Sequence, residues 1–359
     1  MVEQTLSGVK VLDLTWYIAG PHCTKLFADF GADVIKVEKP GEGDPARHIG
    51  PFLGNDPHPE KSMLFSHLNL NKKSIILDLK SNQGKEVVKE LVRDSDIVVE
   101  SFSPGVMERL GLDYHMLKAI NPELVMTSIS NFGQTGPYRY FKASELVLNG
   151  IAADMYMNGI PGREPLKLGG NCMQYQVGHM AAAATIAAYW LTRTHGIGQY
   201  IDVSAQQVLA TDTDYKTIDI VSWAYTGTSM GFKRDSRDVF RDITPSGVYP
   251  CKDGFVRVAG GIMFWDRFIK LFPELGEQFS FPDDITEVDN KEIVDAIWYD
   301  WCADLTKHEI MEACQEVKFF GMALNTPKDA IESPQFKERG FWVEIEHPVT
   351  GKQIYPGDP

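Results

Sequence analysis

Short apolar runs alternate with amphipathic segments over the first 130 residues of the chain. Runs typical of buried strands occur at five places, Val9–Leu14, Asp33–Glu38, Ser74–Leu79, Ile97–Glu100 and Leu124–Ser130. Between them lie segments with apolar side chains at helical spacing, one opening at Pro21, one over Gln83–Arg93 and one carrying Met116, Leu117 and Ile120. Strands that alternate with helices of this length predict βαβ units, and therefore a mostly parallel sheet covered on both faces.

The pattern changes beyond residue 143. Helical character dominates from Ala143 to Tyr225, and Gly178–Trp190 is apolar on nearly all sides, which predicts a buried helix. Strand-like and amphipathic pieces then alternate, at Gly247–Pro250, Gly254–Val258, Lys291–Leu305 and Lys307–Val317. The final stretch has a turn at Pro348–Gly351 between two extended pieces. We therefore predict a large domain over residues 1–225, a smaller α+β domain over 226–335 and a return segment over 336–359.

Composition and charge exclude several classes of protein. Of 359 residues, 43% are hydrophobic and 23% are charged, which is ordinary for a globular protein and not for a disordered or fibrous one. The chain has 35 lysine and arginine residues against 49 aspartate and glutamate residues, so its formal net charge is -14. Such an acidic chain is not expected to bind nucleic acid through its overall field. Any anionic ligand has to be held by a few locally placed cations.

The cysteines and the chain start indicate a cytoplasmic protein. The five cysteines are far apart and form no Cys-x-x-Cys pair, which disfavours a disulfide scaffold and a structural zinc site. The start has no basic region followed by an apolar one, so we expect no signal peptide. The longest apolar run, Met180–Leu191, is shorter than the ~20 residues that span a bilayer. We expect no membrane contact.

Two short motifs match known patterns without the context that these patterns need. Gly41–Ala46 fits the dinucleotide pattern G-x-G-x-x-G/A, but glycines and prolines follow it where a helix would have to begin. Gly227–Gly231 spells G-x-S-x-G, but a helix-like segment precedes it where a strand is required, so a loop is the better interpretation. None of the nine histidines has a metal-binding spacing, and we predict no metal site.

Basic residues are scarce, and several lie near the predicted strand ends: Lys36, Lys39, Lys72, Lys73, Lys80, Arg109 and Lys142. Ligands of parallel sheets bind beyond the carboxyl ends of the strands, which is where Lys39, Lys80 and Arg109 are expected. A set of solvated surface cations is an equally good interpretation of the same positions.

An ordered series of landmarks connects the chain to a known family. It runs through Val11–Leu14, Ala19–Pro21, Gly31–Glu38, Asn71–Lys80, Phe102–Gly105, Arg109–Gly111 and Gly198–Ser204. In order and spacing, the chain resembles the class III coenzyme A-transferases, a family that includes the α-methylacyl-CoA racemases, from about Leu6 to its end. The resemblance implies an α/β fold with a Rossmann-like sheet and a smaller second domain, in protomers that interlock as dimers with active sites between the domains.

The resemblance also implies coenzyme A or an acyl-CoA as substrate, with no covalently bound cofactor. In the family, the CoA phosphates meet basic residues at positions that match Lys39, Lys80, Arg109 and Lys142. Residues matching Leu77 and Phe102 flank the adenine. Four cations at these positions in an acidic chain suit a ligand that is held by charge-assisted hydrogen bonds.

The family's nucleophile has no counterpart at the matching position. An aspartate four residues before a helix glycine attacks the acyl-CoA thioester and forms a mixed anhydride; here the glycine is Gly178, and Gln174 takes the aspartate's place. A neutral amide is a far poorer nucleophile than a carboxylate. The racemases' His-Asp pair falls on Phe141 and Lys142. Glu145 keeps an acidic position found in transferases, although a carboxylate at a helix start explains it equally well.

Two further departures concern the second half of the chain. The glycine-rich loop that shields the family's intermediate is not visible between Pro250 and Met263, where Gly260 and Gly261 form the only glycine pair. Family members usually continue past the position of Pro359, so we expect the chain to be either truncated or incompletely represented.

We therefore predict the supporting subunit of a heteromeric class III CoA-transferase whose homologous partner carries the aspartate. The substrates would be an acyl-CoA such as succinyl-CoA and an organic acid such as an arylsuccinate, as in the benzylsuccinate-activating members. Two alternatives stay open: a non-catalytic CoA-binding or regulatory protein, and an Asp-to-Gln variant of a homomeric enzyme.

Overall fold

The computed structural model of the chain describes residues 4–159, 163–211, 214–228, 245–259, 264–279 and 288–357. The chain divides into two compact units. The first unit comprises Met1–Met230 and Val343–Pro359, and the second comprises Gly231–Trp342. Among the helices in the described ranges, none is both long enough and apolar enough to cross a membrane.

A six-stranded parallel sheet forms the centre of the first unit. Its strands are β1 (Lys10–Leu14), β2 (Asp33–Glu38), β3 (Lys73–Ile76), β4 (Ile97–Glu100), β5 (Val125–Ser130) and β6 (Tyr200–Ser204). They lie in the order β3-β2-β1-β4-β5-β6, and in the register Leu12 pairs with Ile35 on one side and with Val98 on the other. The prediction of a Rossmann-like parallel sheet is confirmed. From β1 the chain adds β2 and β3 on one side and β4, β5 and β6 on the other. The order of strand addition therefore reverses between β1 and β4, which is where such sheets bind ligands.

Helices cover both faces of this sheet. They are α1 (Ala19–Asp29), α2 (Met63–Leu68), α3 (Asn82–Arg93), α4 (Val106–Leu110), α5 (Tyr114–Ile120), α6 (Glu145–Ile151), α7 (Asp154–Met157), α8 (Cys172–His195), α9 (Ala205–Thr211) and α10 (Asp214–Thr226). Side chains alternate along β1, so Val11 packs with α1, α6, α8 and α9, while Leu12 packs with α3, α4 and α5. A hairpin of β10 (Trp342–His347) and β11 (Gly351–Pro356) follows later in the chain, with its turn in the predicted place.

The structure corrects three of the predicted elements. Helix α1 begins at Ala19 and not at Pro21, because Pro21 fits as its third residue, still within the first turn, where a backbone N–H is not needed for an intrahelical hydrogen bond. The helical assignment over Ala143–Tyr225 is wrong at Tyr200–Ser204, which forms the edge strand β6 beside β5. The long helix α8 is not buried all round, since Met180 is 45% exposed and Trp190 is 71% exposed. Only one of its faces packs against α1 and the sheet.

The second unit contains a three-stranded antiparallel sheet in the order β7 (Gly247–Cys251), β8 (Gly254–Ala259) and β9 (Phe320–Ala323). Its helices are α11 (Trp265–Phe268), α12 (Pro273–Gln278), α13 (Val288–Asp304), α14 (Lys307–Glu316), α15 (Pro327–Glu332) and α16 (Pro334–Glu338). Its core is aromatic, with Trp298 and Phe268 fully buried. The serine of the G-x-S-x-G motif and the Gly260-Gly261 pair lie outside the described residues.

Candidate functional site

A cavity of about 230 Å³ lies beyond the carboxyl ends of β1, β4 and β5, at the point where the strand order reverses. Loop residues 16–20, 101–104, 129–131 and 139–142 line it, together with residues from α8 and α9. Three of the predicted site residues are brought together there, namely Phe102, Lys142 and Gln174. The crevice thus lies at the carboxyl edge of the sheet, at the switch in strand order, where parallel sheets bind their ligands.

Gln174 reaches this cavity from the third residue of α8. The helix packs along α1, whose first residues, Ala19 and Gly20, also line the cavity. The Gln174 side chain is half-buried. Its position in the crevice gives it access to a ligand, but its neutral amide can only donate or accept hydrogen bonds there.

Glu145 lies behind Gln174 at the start of α6. One of its carboxylate oxygens, Oε1, accepts a hydrogen bond of 3.0 Å from the backbone N–H of Met173, so this carboxylate also caps the start of α8. Its second oxygen, Oε2, is buried without a hydrogen-bond partner among the described residues. Burial raises the pKa of Glu145, and the Met173 N–H and the nearby Gln174 amide only partly offset this effect. Glu145 itself does not line the cavity.

Trp16 connects Lys39 to the crevice, and the sequence did not identify it. Its ring packs edge-on against Phe102 with 5.5 Å between ring centroids, and the Lys39 ammonium lies 5.4 Å from the Trp16 centroid. The Trp16 backbone N–H donates to Ser101 Oγ at 3.0 Å, which ties the loop after β1 to the loop after β4. Lys39 also forms an ion pair with the exposed Glu42. The only sequence signal for Trp16 is its place two residues after the end of β1.

The remaining predicted ligand residues lie outside this cavity. Leu77 is partly buried after β3, and Lys80 is exposed three residues further on. Arg109 is exposed on α4, where its Nη1 would lie 3.2 Å from a Cβ added at Gly105. None of these three residues lines the crevice. Their assignment to a CoA site stays a prediction.

Two of the lysines near strand ends are structural. The Lys36 ammonium pairs with Asp44 at 2.8 Å, and the Lys72 ammonium pairs with Asp13 at 3.1 Å, with all four side chains nearly inaccessible to water. Burial alone would raise the pKa of Asp13, but the two ammonium groups and two threonine hydroxyls lower it to about 2. Burial lowers the pKa of Lys72 to about 8 despite its partner. These cations stabilise the fold and are not available to a ligand.

Arg139 is a further cation of the crevice that the sequence did not single out. Its guanidinium carbon lies 4.6 Å from the centroid of the Tyr140 ring, and its side chain is exposed. Within the described part of the chain, Arg139 and Lys142 give the cavity two positive charges, and no aspartate or glutamate lines it. The segment has no helical or strand period, so sequence pattern could not place it.

Glu100 anchors the loop that carries Phe102. It is the last residue of β4 and is 2% exposed, and its Oε2 accepts a hydrogen bond of 2.7 Å from the Phe102 backbone N–H. Burial raises its pKa to about 7, although hydrogen bonds from Ser128 and Phe102 work against this increase. Asp202 raises the pKa further by charge repulsion.

Within the described ranges, no three histidine, cysteine or acidic side chains are grouped as metal ligands.

The chain is similar in sequence and in structure to known proteins over nearly its whole length. The sequence model of CoA-transferase family III matches residues 6–357. The chain is 31% identical over 355 residues to succinyl-CoA–D-citramalate CoA-transferase of Chloroflexus aurantiacus, covering 97% of this chain and 85% of that protein. It is 29% identical over 371 residues to the succinyl-CoA:(R)-benzylsuccinate CoA-transferase subunit BbsE of Thauera aromatica, covering 99% and 88%. The solved structure of a CaiB/BaiF family protein from Brucella suis matches with a TM-score of 0.83 at 29% identity, covering 99% of this chain and 96% of that one.

Proposed function

Because this chain belongs to CoA-transferase family III, we propose that it is the aspartate-lacking subunit of an enzyme that moves coenzyme A from an acyl-CoA to an organic acid. The observation that carries this proposal is the position of Gln174. It lines the crevice at the carboxyl edge of the sheet, while no carboxylate among the described residues does so. A site without a carboxylate cannot form the mixed anhydride on which the family's chemistry depends.

The CoA cradle is proposed on the large domain. Lys80, Arg109 and Lys142 have no ion-pair partner among the described residues, so their charges are available to phosphates. Lys39 lies beside Trp16, and Phe102 presents its ring at the same place, which suits the binding of a planar base next to a phosphate. Leu77 is the second proposed contact of the adenine. CoA-transferases use CoA thioesters as substrates, and no other cofactor is needed for this chemistry.

The partner is proposed to be a homologous chain with the aspartate in place. Its carboxylate would attack the thioester carbon and release CoA as the thiolate, leaving a mixed anhydride. The acceptor carboxylate would then displace the donor acid from this anhydride. Attack of the CoA thiolate on the acceptor's acyl carbon would form the new thioester and release the aspartate. The names of the relatives support succinyl-CoA as the donor, and the BbsE relative is itself named as a subunit. That same relative supports an arylsuccinate as the acceptor class.

The decisive experiment compares the chain alone with two variants at one position. The wild-type chain, incubated with succinyl-CoA and a free acid, should exchange no CoA, because neither water nor the acceptor carboxylate is activated toward the thioester. Gln174→Asp should gain a nucleophile that hydroxylamine traps as a hydroxamate on that residue, detectable by mass spectrometry. Gln174→Asn is the matched control, because asparagine has the length of aspartate but is neutral, and it should remain unlabelled.

Purification from the native source provides the second arm of the test. A homologous chain with an aspartate at the position of Gln174 should travel with this one, and hydroxylamine with acyl-CoA should label that partner and spare this chain. Turnover by a homogeneous preparation of the wild-type chain, or labelling of its Glu145, contradicts the supporting role. CoA binding without any active partner would identify a CoA-binding regulator instead.

A further inference from the structure

The crevice is electrostatically unusual for this chain. The protein carries a formal net charge of -14, yet the residues that the structure describes around the cavity include Arg139 and Lys142 and no acidic side chain. A second cavity, which Arg139 also borders, is lined by Glu100, Glu108 and Asp113. An anion that approaches Arg139 is therefore repelled from the second cavity and accepted by the first, because like charges in a partly desolvated site are costly.

Arg139 has no partner that accounts for its charge. Among the described residues, no carboxylate pairs with its guanidinium, which instead lies against the ring of its neighbour Tyr140. A guanidinium presents parallel N–H donors that match the two oxygens of a carboxylate. Lys142 lies three residues further along the same lining segment and is assigned to the CoA phosphates in the proposed function. Arg139 is left for a different anionic group.

Gln174 changes what the cavity can hold. A carboxylate at this position would repel a second carboxylate, whereas the amide is neutral and can offer a ligand an N–H donor beside its interaction with Glu145. The loss of the nucleophile thus converts the crevice into a better receptor for a carboxylate. The cavity volume of about 230 Å³ is below the ~300–1,000 Å³ of pockets for drug-sized ligands, so it has room for a small organic acid or for one part of an acyl-CoA and not for the whole thioester.

We infer that Arg139 and Gln174 bind a carboxylate of the substrate and make the site specific for dicarboxylic acids. Arg139 holds the carboxylate by paired N–H donors, and the Gln174 amide donates a further hydrogen bond to it. The carboxylate belongs either to a free dicarboxylic acid or to the far end of a dicarboxylic acyl group on CoA. The second case rests on the proposed function, and the first does not.

The test compares succinyl-CoA with butyryl-CoA, which has a methyl group in place of the far carboxylate. Titration calorimetry on the full-length chain should give a succinyl-CoA affinity about tenfold above that of butyryl-CoA, the scale of one charge-assisted hydrogen bond. Arg139→Gln should remove this preference, with butyryl-CoA as the baseline. Gln174→Glu should also remove it by charge repulsion. Arg109→Gln is the matched control and should weaken both thioesters alike, because it acts on the CoA phosphates.

Free succinate and free butyrate separate the two sources of the carboxylate. Binding of succinate alone, lost in Arg139→Gln, identifies the free acid; a preference confined to succinyl-CoA identifies the acyl group. Equal weakening of both thioesters in Arg139→Gln overturns the inference. So does a wild-type chain that binds succinyl-CoA no more tightly than butyryl-CoA and succinate no more tightly than butyrate. Failure of the wild-type chain to bind CoA and both thioesters overturns the proposed function instead, and the succinate arm still decides the role of Arg139.

Discussion

Gly178 of α8 packs against the backbone carbonyl oxygen of Ala19 at the start of α1, so closely that an added Cβ would lie 2.6 Å from that oxygen. The same Cβ would lie 3.0 Å from the His22 ring. A glycine is therefore required for the two helices to approach each other here. Because Gln174 lies one turn earlier on α8, this contact also determines where Gln174 meets the cavity lined by Ile18, Ala19 and Gly20.

Gly178→Ala should therefore separate α1 from α8 and lower the free energy of unfolding by ~1–3 kcal/mol, the usual cost of overpacking a well-packed contact. Urea unfolding measures this change. Gly169→Ala is the matched control, since a Cβ at Gly169 meets nothing within 4 Å. Equal stability of the two variants would show that the helices relax at no cost.

Adjacent lysines provide a second test, because Lys72 is buried and Lys73 is exposed. Lys72→Met leaves the buried Asp13 carboxylate without its nearest cation and should cost ~3–5 kcal/mol of unfolding free energy. Lys73→Met removes a surface pair with Asp33, whose side chains are 71% and 44% exposed, and should change stability by no more than ~1 kcal/mol. Chemical unfolding of both variants checks the contrast. A mild effect at Lys72 would mean that Asp13 is adequately held by Lys36 and its threonine hydroxyls.

The sequence predicted the sheet better than the site because strands depend on local pattern. The bounds of β2 and β4 agree with their apolar runs residue for residue. The five-residue edge strand β6 was missed because it is half-exposed and lies between two helices, so its alternation is too short to compete with the helical pattern around it.

The contacts of the site join residues that are far apart in the sequence, so the local pattern of apolar and polar residues does not reveal them. Trp16 meets Phe102, 86 residues away, and nothing in the period of either segment indicates this contact. Lys36 and Lys39 are three residues apart near the end of one strand. The Lys36 side chain is buried in its ion pair with Asp44, whereas the Lys39 side chain is partly exposed. Gln174 could be found only by its distance from a helix glycine, which is why the resemblance identified it and composition did not.

The proposed CoA cradle predicts a phosphate-dependent affinity. Arg109→Ala and Lys142→Ala should each weaken CoA binding by ~1–3 kcal/mol, the scale for losing a hydrogen bond to a charged group. Arg93→Ala is the control, because Arg93 is exposed on α3 and pairs with Glu90. Calorimetry with CoA and with a fragment that lacks its phosphates measures the effect. Equal affinity for the two ligands would contradict the cradle.

Exposed apolar side chains predict that the chain assembles with another one. Trp190 of α8, and Trp223 and Tyr225 of α10, are 71%, 63% and 87% exposed. Apolar groups of this size on several helices are typical of a surface that is covered in an assembly. Light scattering should therefore give a mass above that of the 40.2 kDa chain. A monodisperse single chain at micromolar concentration would contradict this expectation.

Glu100 predicts a particular pH dependence of stability. Its pKa is raised from 4.5 to about 7 by burial, and Asp202 adds repulsion, so the folded chain keeps this proton at pH values where the unfolded chain has lost it. Wild-type stability should accordingly fall as the pH rises from about 4.5 to about 7, by roughly 3 kcal/mol from this group, and not change further above that range. Glu100→Gln cannot ionise, and its amide oxygen can still accept the hydrogen bond from the Phe102 N–H.

The variant should therefore gain stability relative to the wild type across this range, and the difference should level off above pH 7. Urea unfolding of both proteins at pH 5, 6, 7 and 8 measures it, and taking the difference cancels groups such as His22, whose lowered pKa acts in both proteins. Curves that stay parallel at every pH would show that Glu100 is ionised throughout. Its hydrogen bonds from Ser128 and Phe102 would then outweigh its burial.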